Sequence, residues 1–340
     1  MKHILVINSG SSSVKCAFFH DEEEKWRFEG KDFSVLDKLP EETIDIVGHR
    51  VVHGGIKFRE TTFLSKSVEK EIEELNVLAP LHNPICLRGV HEARRRFPRA
   101  HQFAVFDTAF HASLLPIAYS YPVPHEWESW GIRKYGFHGI SFSYIASKIT
   151  EKKCIVCHLG SGASLCALQD GKSIDTTMGF SPLDGLMMGT RSGSIDPSIP
   201  LYLMLNHSFF PSKIDEMLNF QSGLLGVSAI SSDVQELEKE AAEGNKKAAF
   251  ALDLFAYRFK LELGKMVAAL EGVDALVFTA GIGEHSPTMR KRLCPYFCTL
   301  DEAKNAANEH LISTANSPKV YVIPTNEELQ IAKECLNSSI

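Results

Sequence analysis

Short apolar runs broken by glycine and serine set the rhythm of this chain. Ile4-Leu5-Val6-Ile7 stops at Asn8-Ser9-Gly10-Ser11-Ser12-Ser13 and resumes as Val14-Lys15-Cys16-Ala17-Phe18, which predicts strands at about 3–8 and 14–20 joined by a Gly/Ser turn. The pattern returns 150 positions on, where Cys154-Ile155-Val156-Cys157-His158-Leu159 passes through Gly160-Ser161-Gly162 into Ala163-Ser164-Leu165-Cys166-Ala167-Leu168. Lys2/Lys152, Val6/Val156, Gly10/Gly160, Ser11/Ser161, Cys16/Cys166 and Ala17/Ala167 coincide without a gap. Such a repeat points to a chain built from two related halves.

The remainder of each half follows one order. In the first, strands near 24–30 and 44–49 precede helices at 67–75 and 84–97. The second helix opens at Pro84 and ends in Arg94-Arg95-Arg96, a run that suits a solvated helix C-terminus rather than a nucleic-acid patch. A strand at 102–106 then delivers Asp107 at its C-terminal end, a usual position for catalytic groups. The second half continues with a strand near 172–177, helices, a strand at 274–279 and a last strand at 319–323. Lys246–Leu270 reads as an amphipathic helix whose stripe of Phe250, Leu254, Tyr257, Leu261 and Met266 is expected to pack in the core. A final helix at 327–336 follows Pro324 and is placed to cross back onto the first half. The pattern therefore predicts an α/β chain with mixed sheets and a central cleft. It consists of an N-terminal domain at 1–109, completed by a helix at 327–340, and a C-terminal domain at 110–326.

Composition narrows the classes. At 340 residues, 44% hydrophobic and 23% charged with a net charge of −6, the chain reads as an ordinary globular protein with room for two domains and no basic surplus for nucleic acid. The apolar run before Asn8 is too short for a signal peptide, and no 18-residue apolar stretch occurs, so a cytoplasmic location without a membrane partner is expected. Eight cysteines in a chain of this length read as buried thiols. Cys154-x-x-Cys157-His158 lies within one predicted strand, which turns its two cysteines to opposite faces and argues against a metal pair.

The chemistry-bearing residues gather in glycine-rich contexts. A Gly/Ser turn lets backbone N–H groups and hydroxyls approach one anion, so two such turns read as phosphate cradles for a nucleotide. A third cluster, Ala280-Gly281-Ile282-Gly283-Glu284-His285, is expected as a loop, with Ser286 and Pro287 opening a helix whose N-terminus faces a ligand. It lacks both the third glycine of a dinucleotide fingerprint and the lysine of a P-loop. Polar knots recur at His49-Arg50-Val51-Val52-His53-Gly54-Gly55, Leu81-His82-Asn83-Pro84, Asp107-Thr108-Ala109-Phe110-His111 and Tyr135-Gly136-Phe137-His138-Gly139. Residues 179–197 carry Arg191 as their single arginine. Two arginines on glycine-flanked segments suit phosphoryl transfer, which needs cationic forks around the moving phosphate, with Asp107 to orient a nucleophile.

With these blocks in view, the chain resembles the acetate and propionate kinase (acetokinase) family of the actin, sugar kinase and Hsp70 superfamily. The resemblance runs from residue 6 to residue 329 and is densest at 49–55 and at Pro182-Leu183-Asp184-Gly185-Leu186-Met187-Met188-Gly189-Thr190-Arg191-Ser192-Gly193. It implies two duplicated actin-like (RNase H-like) domains with a central nucleotide cleft, the second domain binding nucleotide and forming a homodimer interface. It also implies reversible transfer of the γ-phosphoryl of ATP to a short-chain carboxylate, acetate before propionate, giving an acyl phosphate. Asn8 and Glu327 match the family's Mg2+ positions, with Mn2+ an alternative ion. Arg50 and Arg191 match its two arginines, Asp107 its essential carboxylate, and His138 the histidine at the transferred phosphate. Val52, Leu81, Phe137 and Pro182 match the acyl pocket. On the nucleotide side the matching positions are Ser11, Ser13 and Lys15, then His158, Leu159, Gly160, Ser161 and Gly162, then Asp233, Val234 and Gln235, and finally Gly281, Ile282, Gly283, Glu284 and His285.

Departures fall mainly on that donor side. Ser161 stands where the family has Asn, Gln235 where it has Arg, and His285 where it has Asn; Ile140 and Phe142 replace Thr and His, and the chain is shorter before His49. Competing readings are a weakly catalytic nucleotide or acyl-phosphate binder, and a kinase using another phosphoryl donor.

Overall fold

A computed structural model describes residues 1–10, 13–39 and 43–338 of the chain. The chain divides into two compact units, one formed by Met1–Ser113, Val123–Lys148 and the chain from Asn326 onward, the other by Leu114–Pro122 and Ile149–Thr325. Each unit is built on its own sheet. The first comprises β1 (His3–Ser9), β2 (Val14–His20), β3 (Glu23–Gly30), β4 (Ile46–Val51), β5 (Thr62–Phe63) and β6 (His101–Phe106), in the order β3-β2-β1-β4-β6-β5. The second comprises β7 (Lys153–Leu159), β8 (Ala163–Gln169), β9 (Lys172–Thr176), β10 (Ala275–Thr279) and β11 (Lys319–Val322), in the order β9-β8-β7-β10-β11. Apart from the two-residue β5 the orders are the same. In both, two antiparallel hairpin pairings lead into parallel central strands.

The central strands read as near-continuous apolar runs because both of their faces are covered, whereas β3 alternates exposed and half-buried positions as an edge strand does. The duplication is real in topology, but the ungapped match slips by one residue in the second strand of each hairpin. Val6 faces Ala17, while Val156 faces Cys166. Strand β1 ends at Ser9 and β2 begins at Val14, whereas β7 ends at Leu159 and β8 begins already at Ala163. Cys166 is therefore the counterpart of Ala17, not of Cys16, and a one-residue slip exchanges the faces of a strand.

The final helix, Glu327–Asn337, lays Ile331, Ala332 and Cys335 on the first sheet against Ile4, Val6, Ala17 and Phe103. Gly48 permits this approach, since a Cβ there would fall 2.7 Å from Ile331 and 2.8 Å from Cys335. Residues 110–113 and 123–148, expected on the C-terminal side of a boundary at 109, pack with the first unit because helix Gly139–Ala146 rests on the final helix.

The stripe expected to be the core face of Lys246–Leu270 is mostly its outer face. Phe250, Tyr257 and Leu261 are 59%, 60% and 46% exposed, and the buried stripe runs through Ala248, Leu252, Phe255, Phe259, Leu263 and Met266. Apolar residues occupy two sides of this helix, so periodicity alone does not select the one that packs. Ala280–His285 is likewise helical rather than a loop, starting directly at the end of β10, although Ser286 caps the next helix, Pro287–Leu293, as expected. Among the described residues no helix is long and apolar enough to cross a membrane.

Candidate active site

In the first unit, the neighbouring strands β1, β4 and β6 bring Asn8, Arg50 and Asp107 to their carboxyl ends. Asp107 is 1% exposed. Arg50 grips it, with Nη2 donating to Oδ2 at 2.6 Å and Nε reaching both carboxylate oxygens at 3.1 Å. The remaining nitrogen, Nη1, donates to Asn8 Oδ1 at 3.2 Å, and Asn8 Nδ2 donates to Glu327 Oε2 at 3.1 Å and Glu328 Oε1 at 2.9 Å. One chain of polar contacts thus runs from Asp107 to the start of the final helix. Burial pushes the Asp107 carboxyl above its ordinary range, and the Arg50 charge opposes that push. Burial would lower Arg50, but the charges of Asp107 and Glu327 outweigh it and hold the guanidinium above its usual range.

His138 is set beside this pair by backbone geometry. It takes a left-handed conformation (φ 57°) and precedes helix Gly139–Ala146, whose first N–H donates to the Asp107 carbonyl at 3.0 Å. A Cβ on Gly139 would fall 2.1 Å from that oxygen, so only glycine allows the approach.

The expected apolar wall is pinned by polar groups. Val52 and Phe137 are buried and Leu81 is partly exposed. Asn83, fully buried, accepts from His53 N and donates to His53 O, both at 3.0 Å, which ties the Leu81 segment to the one after Val52. The His53 ring meets Phe137 edge-on at 5.5 Å, and His111 Nε2 donates to the Phe137 carbonyl at 3.0 Å. Sequence reasoning quoted Asn83 within a polar knot but gave it no role; a fully polar residue between Leu81 and a helix was the available signal. It also missed Glu328, and Arg27, which donates to Glu328 Oε2 at 2.8 Å and to Asn326 Oδ1 at 3.0 Å. Those contacts join positions some 300 residues apart in sequence, and no local pattern announces them.

Among the first-turn residues, Ser13 donates to Glu29 Oε1 at 2.7 Å and Lys15 is exposed on β2 opposite Asn8. Ser11 lies outside the described residues.

The second unit gathers the other set. Gly160 N donates to Gly162 O at 3.0 Å, closing the turn after β7, and Gly160 abuts His158 Nε2 and Ala280. Ser161 O accepts from Gly189 N at 3.5 Å, and Gly189 backs onto Ser232. Arg191 Nη1 donates to the Pro182 carbonyl at 3.3 Å and lies 3.8 Å from Met188 Sδ, so these two expected residues are in contact. Glu284 accepts from Ala280 N at 2.7 Å and from Thr325 N at 3.1 Å, which makes it a clamp on the helix start. Ile282 is half-buried, Gly283 is buried, and Gly281 faces open space. Asp233 caps helix Val234–Ala242 by accepting from Glu236 N at 3.0 Å. Leu159 and Val234 turn their side chains into the core, leaving only their main chain to meet a ligand. Gln235 and His285 are exposed.

Comparison with known proteins settles the kinship of these two constellations. The profile of the Acetokinase family matches residues 31–333. The chain belongs to the acetokinase family. This acetokinase is 48% identical over 320 residues to an acetate kinase of Protochlamydia amoebophila (strain UWE25), covering 90% of the chain and 80% of that relative. It is 42% identical over 390 aligned positions to an acetate kinase of Caldicellulosiruptor saccharolyticus, covering 97% and 98%. A solved propionate kinase from Francisella tularensis subsp. tularensis SCHU S4 superposes with a TM-score of 0.92 at 38% identity, covering 99% and 100%. The acetokinase chain is therefore an enzyme, a carboxylate kinase of the acetate kinase type, with the duplicated two-domain actin-like fold.

For an acetokinase the oxygen donors at the end of β1 bear on a metal. Among the described residues no three His, Cys, Asp or Glu side chains converge as a cage. Asn8 and Glu327 do lie side by side, Asn8 Nδ2 donating to Glu327 Oε2 at 3.1 Å; Asn8 Oδ1 accepts from Arg50, and a turn of the amide would set that oxygen beside the carboxylate. That donor set fits Mg2+, which keeps several waters and takes one or two side-chain oxygens together with substrate phosphate.

Proposed function

We propose that the enzyme transfers the γ-phosphoryl group of ATP to acetate, with propionate the next acid, and runs in either direction. The observation that carries this reading is the Arg50 fork held by buried Asp107 and Asn8, two residues before Val52 of a small apolar wall. A carboxylate oxygen of the acid attacks the γ-phosphorus, the bond to the bridging oxygen breaks, and ADP leaves with that electron pair. Arg50 orients the acid carboxylate, and Asp107 keeps the fork in its plane, acting as a positioning residue. Arg191 and His138 complement the charge on the moving phosphoryl group, which is where electrostatic catalysis acts in this reaction class. Asn8 and Glu327 would hold Mg2+ (or Mn2+), whose charge neutralises nucleotide phosphate when bound.

Ser11, Ser13 and Lys15, residues 158–162, and the segments at 233–235 and 281–285 carry the nucleotide in this reading. Ser161, Gln235 and His285 favour testing donors besides ATP. The exposed apolar residues Leu201, Tyr202, Leu205, Phe250, Tyr257 and Leu261 support a homodimer through the second unit. The cytoplasmic location expected from the sequence is part of the same proposal. The test is a coupled assay of purified protein with acetate, propionate and butyrate against ATP, GTP and pyrophosphate, run in both directions. Acyl phosphate formed from acetate and ATP is expected; its absence with every acid and donor would sink the proposal in favour of a binder without turnover.

A further inference from the structure

Of the eight cysteines, only Cys294 is not buried. It follows helix Pro287–Leu293 and opens the turn Cys294-Pro295-Tyr296-Phe297-Cys298, closed by Cys298 N donating to Pro295 O at 3.0 Å. This turn brings the two sulfur-bearing residues together, with Cys294 Sγ 3.6 Å from the Cys298 carbonyl. Both line a cavity of about 470 Å³ shared with Thr288, Lys291, Thr299 and Glu302, large enough to admit a small thiol reagent. The hydrogen bond from Cys298, aided by the charge of Lys260, holds Cys294 below the ordinary thiol range, while the same bond raises Cys298. That ordering suits an attacking and a resolving thiol.

We propose that Cys294 and Cys298 form a reversible disulfide by exchange with a low-molecular-weight disulfide, making this turn a thiol-modification site that acts on the donor side of the enzyme. The Cys294 thiolate attacks one sulfur of the small disulfide, forming a mixed disulfide and expelling a thiolate. The Cys298 thiol gives its proton to that thiolate and attacks the Cys294 sulfur, releasing the second small thiol. The protein loses two protons and two electrons, and the small disulfide takes up both pairs to become two thiols.

The route to the donor side is short. Cys294 N donates to the Arg290 carbonyl at 2.9 Å. The fully buried Arg290 side chain donates to the carbonyls of Gly283 at 2.9 Å and Glu284 at 3.0 Å, and to Asn305 Oδ1 at 2.8 Å. A bridge that tightens the turn draws on the helix end that bolts residues 283 and 284 in place. This last link rests on the nucleotide role proposed above, whereas bridge formation does not.

The experiment incubates the full-length protein with glutathione disulfide, digests it without reduction and maps the peptides by mass. The wild type is expected to give a Cys294–Cys298 bridge that dithiothreitol reverses. Cys298→Ser should trap glutathione on Cys294, and Cys294→Ser should leave Cys298 unmodified. A mixed disulfide that persists on wild-type Cys294, or no modification there, overturns the proposal. In parallel kinetics the bridged enzyme should show a severalfold higher donor KM with the acid KM unchanged, and Cys294→Ser should be insensitive to the reagent. A bridge that leaves the donor KM unmoved overturns the coupling, and the peptide map reads the thiols even if the protein does not turn over.

Discussion

Replacing Arg50 by alanine removes three N–H to O contacts, of 2.6, 3.1 and 3.1 Å, from a carboxylate that has almost no access to water. Breaking one side of a buried ion pair costs about 3–5 kcal/mol, because the partner is left charged and unsolvated. The stranded Asp107 can escape only by taking a proton, so its carboxyl in the variant sits far above the unfolded value. The sign follows: the variant's deficit is largest at high pH and shrinks by about 1.4 kcal/mol per unit as pH falls through that raised pKa. Asp107→Asn in the Arg50→Ala background removes the charge and should recover most of the stability without recovering turnover. Turnover of Arg50→Ala should fall on the order of 10³-fold, the usual consequence of losing one preorganised charge. Arg191→Ala should lose as much activity but only about 1 kcal/mol of stability, since its guanidinium bonds a carbonyl at 3.3 Å. Urea unfolding followed by circular dichroism at about pH 5.5 and pH 8, with turnover measured on the same samples, separates these effects. Equal destabilisation of Arg50→Ala at both pH values, or no recovery on adding Asp107→Asn, would refute the buried ion pair.

Val52→Ala should shift preference toward propionate or butyrate by about 1–3 kcal/mol, read as a ratio of kcat/KM values, and an unchanged acid profile would remove Val52 from the acyl wall. Gln235→Arg with Ser161→Asn should lower the ATP KM by about an order of magnitude by restoring a charge-assisted contact. If ATP, GTP and pyrophosphate use all stay the same, Asp233, Gln235 and His285 are not donor contacts. Burial holds His49, His53 and His111 at about 4, below their usual 6.5. The unfolded chain therefore binds more protons below about pH 6.5, and stability should drop as pH falls from there toward 4, by up to about 1.4 kcal/mol per pH unit for each histidine. A flat unfolding midpoint between about pH 7 and 5 would count against neutral, buried rings.

The strands were legible because each central one is a dense apolar run, and Asp107 was legible because it ends such a run. The outward stripe of Lys246–Leu270 was not, since the helix carries apolar residues on two sides and only the sheet it meets decides which is covered. The slip between Cys16 and Cys166 was hidden for a related reason: identity along the chain does not count the residues in a turn, and β8 starts one position earlier than the repeat implies. Asn8 came through likeness to a family, whereas Arg50 and His138 stood out in glycine-rich knots and took their particular roles from that likeness. Glu328 and Arg27, which support Asn8, come from segments that meet only after the sheet has formed, where neither spacing nor composition reaches.

The first unit is stitched from three stretches of chain, and its final helix supplies Ile331, Ala332 and Cys335 to a core whose strands begin at residue 3. During synthesis that face of the sheet waits for its final helix, with only helix Gly139–Ala146 to cover it, while the whole of residues 149–325 emerges and can close on its own sheet. The second half of the gene thus matures before the first, and the nascent N-terminal sheet is a natural client for chaperones until the last helix leaves the ribosome.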